Sequence, residues 1–427
     1  MRRLLAAACL TLAIGSTLAP AQTLTPAEQA AGWKLLLRGD DGSAWRGYRK
    51  EGFPEKGWEV SGGELRVLKG GGGGDLVTRE QFGDFELSLE FKCEKAANSG
   101  IIYRVSEAKD ATWQTGPEFQ VLDDGGYGAK PGDSHTAGSL YDMIAAPADK
   151  ALRPAGEWNH ARVRMHQGLL QHFLNGRKIV ECRTDGPAWK EMIAKSKFKE
   201  YAGFGIQPRG HIALQEHGDG VAYRNIKVRD LGGTLPGEVS LFAGKDLSQW
   251  TFLLPEGGKM EDVWSIDGEG VLVCKGNPVG YLRTKDTFTD YVLKLEWRFN
   301  PVTKKAGNSG VLLRVQEPDQ VWPRSIEAQL MSGSAGDFWN IGNFVMTADA
   351  GRTNGRNTKH LRANEQPLGE WNEYEIIVDG GDVTLNVNGE TLNAASNCER
   401  IPGTIALQSE GAEIHFRRVR LAPITGN

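Results

Sequence analysis

Two short segments of the sequence place a carboxyl group and a carboxamide two residues apart. They are Glu118 and Gln120 in GPEFQVLDD, and Glu327 and Gln329 in SIEAQL. On an extended strand such residues project from one face, while the apolar residues between them project from the other. A carboxylate beside an amide can bind a pair of sugar hydroxyls, or can act as a general base with a positioning partner. A solvated outer face is the alternative, and the repetition of the pair in the same register favours a functional role.

An arginine interrupts the apolar strand that precedes each pair. It is Arg104 in NSGIIYRV and Arg314 in NSGVLLRV. A charge without a partner in apolar surroundings is costly, so each guanidinium needs a counterpart. We predict for Arg104 either a structural salt bridge to Glu118 or a role in ligand binding. The triplet Asn-Ser-Gly before each strand is more typical of a hairpin turn.

A third group of polar residues lies where strands meet turns. Gln215 and His217 occur in LQEHGDGVAYRNI, at the point where a strand enters a Gly-rich turn, and such positions often expose functional groups. Histidine can serve as an acid or a base near neutral pH, although a lone histidine is more often structural or simply exposed. The second copy has Glu410 in place of His217. Tyr141, at a predicted sheet margin, either binds a sugar hydroxyl or covers an edge.

Other conspicuous residues fit the scaffold better. Trp158 and Trp371, each in the motif GEWN, are predicted to fill the core. His172 corresponds to Leu385 in the second copy, which indicates packing there and leaves a cleft position open for His172. The sequence contains no P-loop, HExxH, EF-hand or GxSxG motif, and KGGGGGD is a Gly-rich loop without the P-loop ending. We therefore predict no dedicated metal site and no cofactor.

The elements that carry these residues occur twice along the chain. WEVSGGELRVLKG from Trp58 returns as WSIDGEGVLVCKG from Trp264, and IALQEHG from Ile212 returns as IALQSEG from Ile405. The order and the offset stay nearly constant, which indicates a tandem duplication of one large domain. With the linker near Asp230–Glu238, the predicted domains are residues 22–232 and 238–427.

Within each copy the hydrophobic period is two, as in FELSLEF and VTLNVNG, and Asn-Gly turns separate the runs. This pattern predicts an all-β fold of two tandem antiparallel β-sandwich domains. Helix signals are few. Thr25-Pro26-Ala27-Glu28 predicts an N-cap with a capping box, and PAWKEMIAKSKF predicts a helix that packs Trp189, Met192 and Ile193 on the sandwich.

The composition bounds the class of protein. The chain has 427 residues, 40% hydrophobic and 24% charged, and 50 basic against 54 acidic residues give a net charge of −4. Collagen-like, disordered and membrane-embedded classes are excluded, and a nucleic acid partner is disfavoured. Residues 1–21 are predicted to be a signal peptide cleaved after Ala21, so we expect an exported bacterial protein, periplasmic or secreted, without a membrane span. The four remaining cysteines form no CxxC pair, and most are predicted to be buried thiols.

The motifs NSGIIYRV, GPEFQVLDD, GEWN and LQEHGDGVAYRNI together resemble the 3-keto-disaccharide hydrolase family, once in each half and in the same order. The resemblance implies a jelly-roll sandwich like those of concanavalin-type lectins and glucanases. It also implies action on an oligosaccharide or glycoside that a separate sugar 3-dehydrogenase has already oxidised at C3. A ketone at C3 acidifies the C2 proton, so a base can start elimination at C1, and water addition then completes a net hydrolysis.

Such chemistry needs a base, a donor for the ketone oxygen and assistance to the leaving group. On this sequence we assign Glu118 as the base, Arg104 and Gln120 as the polarising and orienting donors, and His217 as the proton-transfer residue, with Asp123 in support. The other predicted substrate-binding residues are Tyr141, Gln215, Arg314, Glu327 and Gln329.

Two alternatives stay open at this stage. One is a non-catalytic, carbohydrate-binding double lectin-like module, because sandwiches host both roles. The other is a conventional glycosidase with paired carboxylates, which Glu-x-Gln supports less well than Glu-x-Asp-x-Glu would. Because the second copy lacks an equivalent of His217, it acts on another glycoside, binds carbohydrate, or serves as a scaffold.

Overall fold

The structure, a computed structural model, describes residues 23–425, so the predicted signal peptide lies outside the described residues. The chain forms two compact units. Leu35–Leu231 makes the first, and Leu24–Lys34 joins the residues from Gly232 onward in the second. The structure thus places an N-terminal segment differently from the predicted domains 22–232 and 238–427. The reason is the apolar packing of Ala30 and Ala31 against Leu235 of the second unit.

The first half of the chain is built from short and medium strands. These are β1 Trp33–Leu35, β2 Trp45–Gly47, β3 Trp58–Ser61, β4 Glu64–Val67, β5 Leu76–Thr78, β6 Phe85–Cys93, β7 Asn98–Val105, β8 Glu118–Leu122, β9 Asn159–His166, β10 Leu169–Leu174, β11 Arg177–Arg183, β12 His211–Leu214 and β13 Val221–Asp230.

These strands form a larger sheet in the order β11-β10-β9-β6-β13-β4-β3, with β1 beside β13, and a smaller sheet in the order β2-β5-β12-β7-β8. Leu87 and Leu89 of the larger sheet share one apolar core with Ile101 of β7 and Phe119 of β8 in the smaller sheet. On the other face of β6, Glu86 is neutralised by Arg229 at 2.6 Å and Arg162 at 2.7 Å. The two sheets therefore pack face to face.

The second half repeats this plan with additional strands. These are β14 Val239–Phe242, β15 Trp250–Leu253, β16 Trp264–Ile266, β17 Leu272–Cys274, β18 Gly280–Thr284, β19 Tyr291–Phe299, β20 Gly310–Val315, β21 Ser325–Gln329, β22 Phe338–Ile341, β23 Thr347–Ala348, β24 Thr353–Asn354, β25 Asn357–Thr358, β26 Asn372–Asp379, β27 Asp382–Val387, β28 Glu390–Ser396, β29 Thr404–Ser409 and β30 Ile414–Pro423.

One sheet has the order β16-β17-β30-β19-β26-β27-β28-β23, with β14 beside β30, and the other has the order β15-β18-β29-β20-β21-β22-β25-β24. Leu293 and Trp297 of β19 share a core with Val311 of β20 and Ile326 of β21. The predicted all-β fold with two antiparallel sandwiches is confirmed.

The helices are α1 Pro26–Ala30, α2 Asp124–Tyr127, α3 Gly186–Lys195 and α4 Met260–Val263. The predicted capping box is present, since the Thr25 hydroxyl accepts a hydrogen bond from the Glu28 amide and the Glu28 carboxylate accepts one from the Thr25 amide. Trp189 of α3 is buried in the first core, as predicted. None of the helices in residues 23–425 is long and apolar enough to cross a bilayer.

The predicted scaffold residues have mixed outcomes. His172 is fully buried, with Nδ1 2.9 Å from the Gly138 carbonyl and Nε2 2.8 Å from the Tyr103 hydroxyl, so it belongs to the core. The prediction for Trp158 and Trp371 is wrong. Both are half-buried indoles outside the cores, and each contacts two cationic side chains. The four described cysteines are free thiols, and three are buried.

Candidate functional site

The Glu-x-Gln strand of the first unit lies with its polar face outside the sandwich core. Phe119 and Val121 of β8 enter the core, so Glu118 and Gln120 project from the opposite face, as the alternation predicts. They are not solvated, because Glu118 is 4% exposed and Gln120 is 2% exposed. Gln120 donates to the Asn98 side chain at 3.1 Å, and its own carbonyl oxygen is buried without a hydrogen bond to the residues described.

A glycine in the neighbouring strand makes room for the carboxyl group. Gly100 of β7 pairs with Gln120, and a Cβ atom at position 100 would lie 2.1 Å from Glu118 Oε1. In the second unit, a Cβ atom on Gly310 would lie 2.4 Å from Glu327 Oε1. The prediction of a hairpin turn at Asn98 is therefore wrong. The triplet forms the first residues of strand β7, and its glycine leaves space for the Glu118 carboxyl group instead of forming a turn.

The surroundings of Glu118 hold its pKa far above the usual range. Burial raises it from 4.5 to about 8, the nearby Asp75 also raises it, and the charge of Lys197 lowers it. The Lys197 ammonium lies 4.2 Å from the Tyr141 ring centroid and 5.1 Å from that of Trp113. A carboxyl group of this kind is a stronger base than an ordinary one, and it has a cation nearby.

Asp75 connects two segments that border the site. One carboxylate oxygen accepts the Glu216 amide at 2.9 Å, and the other accepts the hydroxyl of Thr112, which begins the 3₁₀ turn of Trp113. Burial is the largest cause that raises the pKa of Asp75, while the charge of His217 lowers it. Asp75 ends the loop KGGGGGD, and its role is not apparent from the sequence because this Gly-rich loop resembles only an incomplete P-loop.

The Gly-rich loop itself is anchored by a carboxylate of the protein. The amides of Gly72 and Gly74 donate to Glu216 at 2.9 and 3.2 Å. His217, next in the chain, is exposed, and Gln215 is held through its backbone, with its amide donating to the Gly100 carbonyl at 2.9 Å. This hydrogen bond holds the 215–217 turn beside β7, the strand whose Gly100 lies against Glu118.

Of two further predicted site residues, Tyr141 lies beside Glu118 and Asp123 lies in a turn. The Tyr141 amide donates to the Glu118 carbonyl at 3.1 Å, and burial followed by the charge of Glu118 raises the pKa of Tyr141, so its ring borders the site. Asp123 accepts the Ala96 amide at 2.8 Å and immediately precedes α2. This contact orders the turn before β7 and gives no evidence for the predicted role of Asp123 in catalysis.

The predicted salt bridge between Arg104 and Glu118 is wrong. The acid partner of Arg104 is Asp84 at 3.3 Å, and its guanidinium also donates to the Gly83 carbonyl at 3.1 Å. Arg104 has a φ of 52° and sits at a register shift between β7 and β12. This bulge breaks the side-chain alternation on which the prediction relied.

Arg314 has the same local geometry, with a φ of 51°. Its guanidinium is fully buried and binds the carbonyls of Glu399 at 2.6 Å and Gly380 at 2.8 Å, together with Asp290 at 3.3 Å. These partners tie loops together, so the predicted substrate-binding role of Arg314 is a second correction.

The second unit has a cavity at the corresponding face, with a volume of about 230 Å³. Its lining residues are Asn308, Trp322, Glu327, Gln329, Met331, Trp339, Ile341, Arg356 and Glu410. Burial and then the charge of Glu410 raise the pKa of Glu327 to about 8, against the lowering effects of Gln408 and Arg356. Burial also raises the pKa of Glu410. Two carboxyl groups therefore face one cavity, which the spacing of Glu-x-Gln did not reveal.

The two sites share their acid, amide and aromatic residues and differ in a third polar position. Trp339 pairs with Glu327 between β21 and β22, as Tyr141 lies beside Glu118. His217 in the first unit is replaced by Glu410 in the second. The two units therefore present similar polar and aromatic surfaces, with a histidine in one and a glutamate in the other at the third position.

Comparisons with known proteins match both halves of the chain. The family model of the 3-keto-alpha-glucoside-1,2-lyase-like domain matches residues 32–229 and again residues 237–422. A 3-keto-disaccharide hydrolase of Bacteroides thetaiotaomicron is 34% identical over 233 residues, which cover 47% of this chain and 79% of that protein.

Solved structures also resemble parts of the chain. A candidate glycosyl hydrolase of Parabacteroides distasonis is 30% identical, with 49% of this chain and 99% of that chain covered and a TM-score of 0.46. A β-glucanase of Bacillus licheniformis is 12% identical, with 44% and 98% covered and a TM-score of 0.33. Because the family model matches most of the sequence, once in each half, the chain belongs to the 3-keto-alpha-glucoside-1,2-lyase-like family.

Proposed function

We propose that this protein cleaves the glycosidic bond of 3-keto-glycosides, including 3-keto-disaccharides, by C2 proton abstraction, elimination at C1 and hydration. Membership of the family and the similarity to a 3-keto-disaccharide hydrolase support an enzyme that acts on glycosidic bonds. The observation that carries the proposal is the buried Glu118, whose pKa is about 8 and which lies on a strand face lined by polar and aromatic residues.

Glu118 is the proposed base. Removal of a proton next to a ketone needs a base whose pKa lies near the working pH, because the driving force and the ionised fraction must both be adequate. An ordinary glutamate, with a pKa of 4.5, is ionised but weak as a base, whereas Glu118 combines higher basicity with a substantial ionised fraction near pH 8. We assign the Gln120 amide, on the same face, to orienting a substrate hydroxyl.

Lys197 replaces Arg104 as the proposed donor to the ketone oxygen. The negative charge that develops on this oxygen needs a cation or a hydrogen-bond donor. Arg104 is engaged with Asp84 and Gly83, whereas Lys197 acts electrostatically on Glu118 and lies over the ring of Tyr141.

His217 is the proposed group for proton transfer to the leaving oxygen or from water. Its turn is fixed by the hydrogen bond from the Glu216 amide to Asp75 at 2.9 Å. The charge of His217 in turn lowers the pKa of Asp75, so the two side chains interact electrostatically. Asp75 is thus a positioning residue for His217.

The biological setting follows from the substrate. A 3-keto-glycoside must be made from an ordinary glycoside by a separate sugar 3-dehydrogenase, which we propose acts before this enzyme. The Arg2-Arg3 start, the apolar run and the Ala19-Pro20-Ala21 sequence support export to the periplasm or beyond.

The test uses one disaccharide in its 3-keto and unoxidised forms. We expect turnover of the keto form only, with kcat/KM rising as the pH increases towards about 8, because Glu118 must lose its proton to act as a base. Glu118→Gln should reduce the activity of the first site by at least about 100-fold. Glu157→Gln, at an exposed carboxyl group, is the matched control and should keep the activity.

The alternative is a carbohydrate-binding module, which the Trp-lined cavity of the second unit favours. Equal binding of both sugar forms without product would establish it. Release of sugar from the unoxidised disaccharide would instead support a conventional glycosidase.

A further inference from the structure

The two acids of the second cavity come from distant parts of the chain. Glu327 lies on β21, and Glu410 directly follows β29, where it forms a bridge with Asn308. Their carboxyl groups are close enough for the charge of Glu410 to be the largest electrostatic contribution that raises the pKa of Glu327. One cavity therefore contains two carboxyl groups that disfavour simultaneous ionisation, so one of them can hold a proton while the other is free to accept one.

A buried amide stands beside this pair. Gln408 is 1% exposed, and its Oε1 approaches the same point above Gly310 as Glu327 Oε1, each 2.4 Å from a Cβ atom that Gly310 lacks. The Gln408 side chain acts on Glu327 as a hydrogen-bond partner that lowers its pKa, while Gln408 Oε1 has no hydrogen bond to the residues described. Buried polar groups in this state are usually satisfied by a ligand or water, which indicates that the cavity receives a polar molecule.

The remaining wall suits a sugar ring. Trp322 and Trp339 line the cavity together with Met331 and Ile341, and Trp322 is 43% exposed. An apolar wall facing a few convergent polar groups is the general form of a small-molecule site. The C–H face of a pyranose can lie on the indoles while its hydroxyl groups meet Glu327 and Gln329.

We propose that the second unit is a second active site for 3-keto-glycosides, in which Glu327 is the base and Glu410 is the acid for the leaving group. This inference rests on the proposed function. It assigns a catalytic role to the half of the chain that lacks His217, and it gives Glu410 the work that His217 performs in the first unit.

The two acids and one water molecule supply and accept every proton that this reaction transfers. Ionised Glu327 takes the C2 proton, and the C–H electron pair forms an enolate with C3. The enolate collapses to restore the ketone and form the C1–C2 double bond. The C1–O bond breaks, and protonated Glu410 gives its proton to the departing oxygen.

Ionised Glu410 then takes a proton from water as the water oxygen bonds to C1, and protonated Glu327 returns its proton to C2. Both acids regain their starting states, and the net change is hydrolysis. The charge of Glu410 favours the proton on Glu327, so the reactive form of the pair, which carries the shared proton on Glu410, is the less populated one.

The test separates base from acid by the choice of leaving group. Two 3-keto-glucosides are compared, one with a nitrophenyl group, which leaves without protonation, and one with a methyl group, which needs it. The full chain carrying Glu118→Gln isolates the second site. We expect it to turn over both compounds, and we expect a further Glu327→Gln change to reduce both rates by at least about 100-fold.

Adding Glu410→Gln to Glu118→Gln should reduce the methyl rate by about 100-fold or more and the nitrophenyl rate by less than about tenfold. Glu118→Gln with Glu256→Gln is the matched control, because Glu256 is exposed and does not line the cavity. It should behave like Glu118→Gln alone, and thermal melting of every variant checks that the fold is kept.

The second site would be ruled out if the wild type turns over both compounds and a folded Glu118→Gln variant turns over neither. The proposed function would then remain intact. An equal loss of both rates on Glu410→Gln would overturn the role of Glu410 as the acid. Wild type inactive with both compounds would reject the proposed function itself, and this inference with it.

Discussion

Replacement of Glu118 by glutamine should stabilise the protein increasingly as the pH rises. The folded protein holds the pKa of Glu118 at about 8, against an ordinary value of 4.5. Between these values the folded chain keeps a proton that the unfolded chain releases. The wild type therefore loses stability as the pH rises through this window, and the full penalty of the buried charge is present above pH 8.

The size of the effect follows from the shift. Each pH unit across the window changes the free energy of unfolding by about 1.4 kcal/mol, so the change from pH 5 to pH 9 is on the order of 4 kcal/mol for this one group. Glutamine has nearly the same shape and does not titrate. The stability difference between Glu118→Gln and wild type should therefore grow in favour of the variant by about this amount.

Urea denaturation of the full-length chain at several values between pH 5 and pH 9, followed by tryptophan fluorescence, measures the difference. Glu157→Gln is the control, since its carboxyl group is exposed and its difference from wild type should not depend on pH. A difference for Glu118→Gln that stays constant from pH 5 to pH 9 would refute the reasoning, because the buried carboxyl group would then not be the proton carrier described.

Three further substitutions test other contacts. Gly100→Ala places a Cβ atom 2.1 Å from Glu118 Oε1, so it should displace the carboxyl group and lower kcat of the first site by at least about tenfold, as measured with Glu118→Gln as the baseline. Arg104→Met removes the salt bridge to Asp84 and the hydrogen bond to the Gly83 carbonyl. It should lower the free energy of unfolding by about 2 kcal/mol and leave the pH profile of activity unchanged. His172→Leu takes the residue that the second copy uses, and it should cost about 1 to 2 kcal/mol in urea denaturation because a buried hydroxyl loses its partner. Since the pKa of His172 is about 4, the pH dependence of activity between pH 5 and pH 9 should stay that of wild type, and a changed profile would contradict its assignment to the core.

The parts of the site that the sequence predicts are those set by local alternation. The period of two predicts Glu118 and Gln120 on one face and Phe119 on the other, and the structure confirms this, with Phe119 in the core. The alternation failed at Arg104, where a residue with positive φ at a register shift turns the side chain towards Asp84. A bulge of this kind has no clear signature in a single sequence.

The parts that the sequence could not predict depend on contacts between distant segments. Lys197 reaches the site from the segment after α3, and Asp75 reaches it from the loop before β5. Neither stands near Glu118 in the chain. One signal was available, because the second copy repeats the glycine of Asn-Ser-Gly at Gly310. A glycine inside a strand often marks the close approach of another group, and both glycines do so here.

The position of α1 bears on how this chain can be made in pieces. Residues 24–34 are translated before the first sandwich, yet Ala30 and Ala31 pack against Val292 of β19 and Ala422 of β30. Residues 24–34 can therefore pack in their final position only after Ala422, near the end of the second sandwich, has been synthesised. A gene divided at the linker would yield a C-terminal fragment with this apolar patch uncovered, and a fusion partner attached ahead of Thr25 would sit on a helix that the other half of the chain needs.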